Sequence, residues 1–307
     1  MKRIEMQVQC GDALLAGTLH LPDSDGPHPA IVMLQGSGTT NRDAEGYFLP
    51  FREQFLGRGV AALSWDRPGV GESSGDWRQQ TLYDRADEAL DAIAWLRSRP
   101  EIDPARVGIW GHSQGGWIGP LAASQAPDVA FLIVNSGPGI GMPEQNLYGI
   151  EHVLRRDGAS EEDIAQALAF MNALNDAASQ QVSYEQVVTN LLEPARGTPA
   201  ESYFGELSEQ DWPFFVLNAQ RPYDPVPSLE RITCPVLALF GERDPLVPAA
   251  ESAAIFERAF AVAGNADVTI HVFPDADHRI RTGEPPEFVP GYLTLMADWL
   301  EQHTKPR

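Results

Sequence analysis

Val107-Gly108-Ile109-Trp110-Gly111-His112-Ser113-Gln114-Gly115-Gly116-Trp117 is the stretch whose reading decides the fold. An apolar strand pattern runs directly into a Gly-x-Ser-x-Gly pentapeptide, and a helical pattern over 117–126 follows it. A serine hydroxyl is a weak nucleophile at its own pKa and needs an exposed position and a base. A tight turn between a buried strand and a helix supplies the exposure, and glycines flank it because side chains there would collide with neighbouring elements.

The same pattern occurs a second time, at Gly71-Glu72-Ser73-Ser74-Gly75. Ser73, however, follows the turn-like Arg67-Pro68-Gly69-Val70 and leads into Asp76-Trp77-Arg78-Gln79, so it reads as a loop residue. Context, not the motif, makes Ser113 the expected nucleophile.

Outward from Ser113, strands alternate with helices. Strands are expected at 4–10 and 14–21, paired around Gly11-Asp12, and at 30–34, 60–65, 107–110 and 129–134. Helices are expected at 48–58 and 81–97, the latter with Leu82, Ala86, Ala89, Leu90, Ile93 and Leu96 at helical spacing. The short unbroken apolar runs suit strands buried on both faces of a parallel sheet with right-handed crossovers. The rhythm breaks over 137–229, where helices are expected at 145–156, 161–178 and 184–192 and only a weak strand at 214–217. It resumes with a strand at 234–240, a helix at 249–263, a strand at 268–273 and a helix at 292–303. The fold class expected is α/β, with a core formed by 1–136 and 230–307 and a mostly helical insertion at 137–229.

Composition narrows the function classes. The 307 residues are 43% hydrophobic and 21% charged, the balance of a globular chain with a core. The net charge is −21, from 22 Lys+Arg against 43 Asp+Glu. Such a surface repels phosphate backbones and anionic headgroups, so neither nucleic acid nor a membrane surface is an expected partner. No apolar run reaches the length of a membrane span, and the first residues alternate like a strand instead of forming a signal peptide, so the cytoplasm is the expected location. Cys10 and Cys234 read as free thiols in apolar stretches. No dinucleotide fingerprint or metal-ligand spacing appears, so no cofactor or metal is implied. The expected partner is a small ester-type substrate, and monomer and homodimer both stay open.

The elbow demands its partners in the chain order Ser, Asp/Glu, His. Asp244 lies in Gly241-Glu242-Arg243-Asp244-Pro245, directly after the strand ending at Phe240, where a loop would carry it to the carboxyl edge of the sheet. Glu242 competes, two residues nearer the strand. Of seven histidines, His20 and His28 precede the nucleophile, His112 is inside the elbow, His152 lies in the insertion, His271 mid-strand and His303 at the tail. His278, in the loop after the 268–273 strand, remains as the expected base, with Asp244 to orient it. A tetrahedral oxyanion needs preorganised N–H donors. The backbone N–H of Gln114 and that of Ser37 are expected to supply them, with Gly36 second to Ser37.

At Gln35-Gly36-Ser37-Gly38, Arg42-Asp43, Trp65 to Ser73 and Gly111 to Gly116 the chain resembles the α/β-hydrolase superfamily. Within it, the chain is similar to bacterial carboxylesterases related to dienelactone hydrolases and acyl-peptidases. The resemblance implies an eight-stranded, mostly parallel sheet, with the 137–229 block acting as a cap over the pocket. It also implies that Arg42, Asp43 and Arg67 are ion-pair residues stiffening loops. Many relatives carry His-Gly where this chain has Gln35-Gly36, which leaves the role of the Gln35 side chain open.

With serine as nucleophile, acyl transfer to water is the chemistry expected, and a carboxylesterase on small or medium uncharged esters is the first reading. Tyr148, Phe170, Met171, Tyr203, Phe204, Trp212, Phe214 and Phe215 are candidates either for a pocket lining or for the insertion's own core. Thioesters and lactones remain open. So does a peptidase or aminopeptidase, in which Glu144, Glu151, Glu201 or Glu206 would hold a substrate amine. A catalytically silent binding protein on the same fold is the third reading.

Overall fold

The computed structural model describes residues 2–38, 40–198, 200–201 and 207–305. Strands β1 (Lys2–Cys10) and β2 (Ala13–Leu21) form a hairpin that turns at Gly11, whose φ of +52° is the left-handed conformation glycine adopts most freely. β3 (His28–Leu34), β4 (Ala61–Trp65), β5 (Ile102–His112), β6 (Leu132–Asn135), β7 (Val236–Gly241) and β8 (Val268–Phe273) complete one eight-stranded sheet. Its order is β1-β2-β4-β3-β5-β6-β7-β8. β1 and β2 are antiparallel to their neighbours, and β4 through β8 run parallel.

Period-two alternation feeds both faces of this sheet. Val236, Ala238 and Phe240 enter one core, with Ala30, Val32 and Leu34, while Leu237 and Leu239 enter the other, with Ile31 and Met33. The first core is covered by helices α2 (Leu82–Arg97) and α3 (Gly115–Gln125) and by residues Phe256 and Phe260. The second is covered by α1 (Leu49–Gly57) and the C-terminal helix Tyr292–His303, with Trp110 among Phe48, Phe51 and Phe55. Each such fully buried side chain is worth roughly 1.5–3 kcal/mol against exposure. Thr81 starts α2 with a reciprocal capping box to Asp84.

The chain builds β3 and β4 on one side, then crosses to place β5 on the other flank of β3. The loops after β3 and β5 therefore diverge at the carboxyl edge, and it is between such diverging loops that open α/β sheets form a ligand crevice.

Between β6 and β7 lie α4 (Met142–Arg156), α5 (Glu161–Ser179), α6 (Tyr184–Val187), a wider turn over Val188–Leu192, α7 (Glu193–Ala195), α8 (Trp212–Gln220) and α9 (Val226–Leu229). They close a separate apolar core containing Ile150, Phe170, Met171, Leu174 and Trp212, whereas Tyr223 and Leu229 pack into the first core of the sheet. The strand expected at 214–217 is instead the middle of α8. Four apolar residues in a row fit either element, and Pro213 at the first helical turn favours the helix. Tyr203, Phe204 and Glu206 lie outside the described residues. α10 (Ala249–Val262) and α11 (Tyr292–His303) follow β7 and β8. Among the described residues no helix is long and apolar enough to cross a membrane.

Candidate active site

Ser113 occupies the turn between β5 and α3 with φ +55°, a conformation a non-glycine residue holds only under constraint. Its N–H donates to the Asn135 carbonyl at 2.9 Å, and its own carbonyl accepts from Gly116 N–H at 2.7 Å. The flanking glycines answer to close backbone approach. A Cβ on Gly111 would stand 2.1 Å from the Gly115 oxygen, and one on Gly115 would stand 2.4 Å from the Leu34 oxygen.

Ser73 is placed differently. It is buried, its hydroxyl donates to the Asp66 carbonyl at 2.7 Å, and the same oxygen accepts from Ala16 N–H at 2.8 Å. Both hydrogen-bonding roles of that hydroxyl are spent on stapling β2 to the loop after β4.

Asp244 and His278 meet at the same sheet edge. His278 Nδ1 lies 2.7 Å from Asp244 Oδ2, while Oδ1 accepts from Leu246 N–H at 2.8 Å and Val247 N–H at 3.0 Å. An ionised carboxylate only accepts, so in this contact Nδ1 is the donor and Nε2 is left facing away from Asp244. Asp244 is 3% exposed, whereas Glu242 is exposed and accepts the Asp275 N–H. Gly241 lets the histidine loop close down: a Cβ there would stand 2.2 Å from the Asp277 oxygen. The His278 ring centre is 5.0 Å from that of His112, the residue before Ser113.

The loop after β3 lies against the serine. A Cβ on Gly36 would be 3.3 Å from Ser113 Cβ and 3.6 Å from its Oγ. The Gln35 side chain is buried and donates through Nε2 to the Trp65 carbonyl at 2.6 Å and the Asn41 carbonyl at 3.1 Å. It pins the start of that loop to the end of β4. Ser37 is exposed, and Gln114 opens α3, where the first backbone N–H groups have no partner within the helix.

Charged residues brace the surrounding loops. Arg42 reaches Asp66 at 2.6 Å and Glu72 at 2.6 Å, and Asp66 also accepts the Arg42 and Glu72 N–H groups. Burial works to raise the Asp66 pKa, but the Arg42 hydrogen bond and the two N–H donors outweigh it and hold the carboxyl below its ordinary value. Asp43 pairs with Arg52. Arg67 differs from the ion-pair role implied for it: it donates to the Gly38 carbonyl and lies over the Trp77 ring, 5.5 Å from its centre. The Arg67 Nε is buried and finds no hydrogen-bond partner among the described residues, so the carbonyl and the ring face satisfy the guanidinium only in part.

Sequence reasoning passed over His112. Its ring is buried behind Ser113, with Asn135 Nδ2 3.1 Å from Nδ1, and Asn135 Oδ1 accepts from the Tyr292 hydroxyl. Burial, with His278 and Arg279 nearby, pushes its pKa well below the ordinary value and keeps it neutral. A single letter inside the elbow carries no signal of this network, because its partners come from β6 and α11.

Of the aromatic candidates, Phe170, Met171 and Trp212 fill the core of the helical block. The Tyr148 hydroxyl donates to the Asp244 carbonyl, and Phe214 meets Trp77 with ring centres 5.2 Å apart. Of the carboxylates, Glu151 pairs with Arg155, Glu201 accepts the Gly197 N–H, and Glu144 is exposed.

The chain is 24% identical over 300 residues to an uncharacterized 31.7 kDa protein of Escherichia coli, covering 94% of this chain and 96% of that protein. It is 25% identical over 276 residues to esterase EstD of Thermotoga maritima, covering 88% of this chain and 59% of that enzyme. Among solved structures, the Pyrococcus furiosus esterase Pf2001 superposes with a TM-score of 0.65 at 19% identity, covering 99% of this chain and 92% of that one. Est1E of Butyrivibrio proteoclasticus, solved with ferulic acid bound, does so with a TM-score of 0.59 at 19% identity, covering 97% and 96%. The alpha/beta hydrolase family model matches residues 31–290, from β3 to just before α11, and so takes in the elbow, the Asp244 loop and the His278 loop. By that match and by the sheet that carries it, this chain belongs to the alpha/beta hydrolase family.

Proposed function

We propose that the protein is a serine esterase that cleaves small or medium, largely uncharged carboxylic esters through an acyl-enzyme. The observation that carries this reading is the 2.7 Å contact between His278 Nδ1 and Asp244, made at the edge where Ser113 stands in its constrained turn. His278 takes the Ser113 proton through Nε2 as Oγ attacks the ester carbonyl, then returns it to the departing alcohol. Asp244 holds the imidazole's tautomer and stabilises the imidazolium. The N–H groups of Gln114 and Ser37, with Gly36 second, receive the oxyanion, and the start of α3 adds its positive dipole end. A water activated by His278 then frees the acid. The 137–229 block serves as a cap over the crevice. Esterases among the similar proteins support the choice of ester.

A fluorophosphonate probe with peptide mapping tests this reading. Ser113 takes the label, p-nitrophenyl ester hydrolysis stops with it, and Ser113→Ala is inactive. Full activity in folded Ser113→Ala would overturn the proposal, and faster turnover of aminoacyl-amides than of esters would overturn its substrate class.

A further inference from the structure

Arg85 projects from α2 beneath the crevice, and nothing in the chemistry above uses it. It is 5% exposed. One terminal nitrogen donates to the Gln35 carbonyl at 3.2 Å, and the other donates to the side-chain carbonyl of Gln114. Gln35 heads the loop that carries Gly36 and Ser37, and Gln114 carries the other proposed oxyanion donor. One planar guanidinium thus bridges the two halves of the site, a geometry that only arginine's rigid fork supplies. Because C=O and N–H point opposite ways across a trans peptide, holding the Gln35 carbonyl towards Arg85 also turns the Gly36 N–H away from it.

The charge balance behind the loops points the same way. Arg67, 3% exposed, donates to the Gly38 carbonyl. Among the described residues neither Arg67 nor Arg85 has a carboxylate at ion-pair distance. The buried carboxylate nearby, Glu88, is occupied by Gln80 Nε2 and by Trp65 Nε1 at 3.4 Å. Arginine keeps its proton in proteins, and burial pulls both guanidinium pKa values down from the ordinary value, so their charge stands there at a desolvation cost. Two buried guanidiniums therefore face Glu88, whose own pKa burial raises, in a protein whose net charge is −21. Weak screening inside the protein strengthens their pull on negative charge developing above them.

We infer that Arg85 is a positioning residue of the oxyanion site, setting the spacing of its two donor segments and adding a fixed positive field. The inference rests on the serine-esterase reading. The test uses the full chain, a p-nitrophenyl ester and a trifluoromethyl ketone, which forms a tetrahedral adduct with the serine. Arg85→Met is expected to lower kcat about 10- to 100-fold with KM within about threefold, and to weaken the ketone by the factor lost in kcat. Arg85→Lys keeps the charge but reaches one acceptor at a time, so kcat and ketone affinity each fall about tenfold.

A purely structural arginine would lower the melting temperature without this parallel loss. Wild-type kcat and ketone affinity in Arg85→Lys would overturn the two-point clamp, whether or not Arg85→Met folds. A loss in Arg85→Met confined to KM would overturn it too. Activity surviving in Ser113→Ala is the separate outcome that would remove the esterase reading itself.

Discussion

The hydroxyl of Tyr148, on α4, donates to the main-chain carbonyl of Asp244 at 3.2 Å, and three residues earlier Gln145 donates to the Leu246 carbonyl at 2.8 Å. The helical block between β6 and β7 is thereby tied to the loop that holds the His278 imidazole. Tyr148→Phe is expected to cost about 0.5–1.5 kcal/mol, the usual worth of one hydrogen bond. The loss should also appear in kcat/KM on esters, because the loop it releases carries Asp244. Thermal unfolding and ester kinetics on the same preparation check both, and an unchanged pair would show that the tie does nothing.

The choice between two acidic residues has a direct test. Asp244→Asn keeps an oxygen for the Leu246 and Val247 N–H groups but presents an amide to His278, which forces the wrong tautomer. It is expected to lower kcat by about 10⁴ with the fold intact. Glu242→Gln, exposed and bonded to the Asp275 N–H, should stay within about threefold of wild type, as surface changes do. Equal losses in the two variants would mean that Asp244 has no special part.

Gly241→Ala separates position from chemistry. The added methyl would stand 2.2 Å from the Asp277 oxygen and 2.6 Å from the Ala276 oxygen, both backbone atoms that cannot swing aside. Overpacking of this kind costs about 1–3 kcal/mol. The displaced loop bears His278, so activity should fall by more than stability alone explains. Denaturant unfolding paired with kcat decides, and a folded Gly241→Ala enzyme of normal rate would place the histidine loop elsewhere.

The Arg42–Asp66 pair predicts an acid sensitivity. The Asp66 pKa is lower in the folded protein than the ordinary 3.8, so the folded state favours the ionised form. That contribution is fully present above 3.8 and is lost as pH falls from there through the depressed value. Asp66→Asn removes it, leaving an unfolding free energy that falls less steeply over that range. Urea unfolding from about pH 5 down to about pH 2 compares the slopes, and curves that stay parallel throughout would refute the assignment.

The sheet and its order of elements were legible because period two and period 3.6 are local patterns, and they place both β5 and α3 around Ser113. The run at 214–217 was not, because a short apolar stretch has no period of its own and the deciding residue was Pro213. Asp244 and His278 could be named from chain order and loop position. His112, Arg85 and Gln35 could not be read so. Each is one polar letter in an apolar neighbourhood, and its partners lie on other elements.

The amino-acid sequence by itself determined the strand–turn–helix around Ser113, since glycine sterics and hydrophobic periodicity are properties of neighbouring residues. Only the tertiary structure decided that Ser73 is spent on Ala16 and Asp66, that Gly36 lies against Ser113, and that Arg85 joins Gln35 to Gln114. Hydrogen bonds and close approaches across tens of residues depend on how the β3 and β5 loops diverge at the sheet edge. That divergence is set by strand order, which no local pattern encodes.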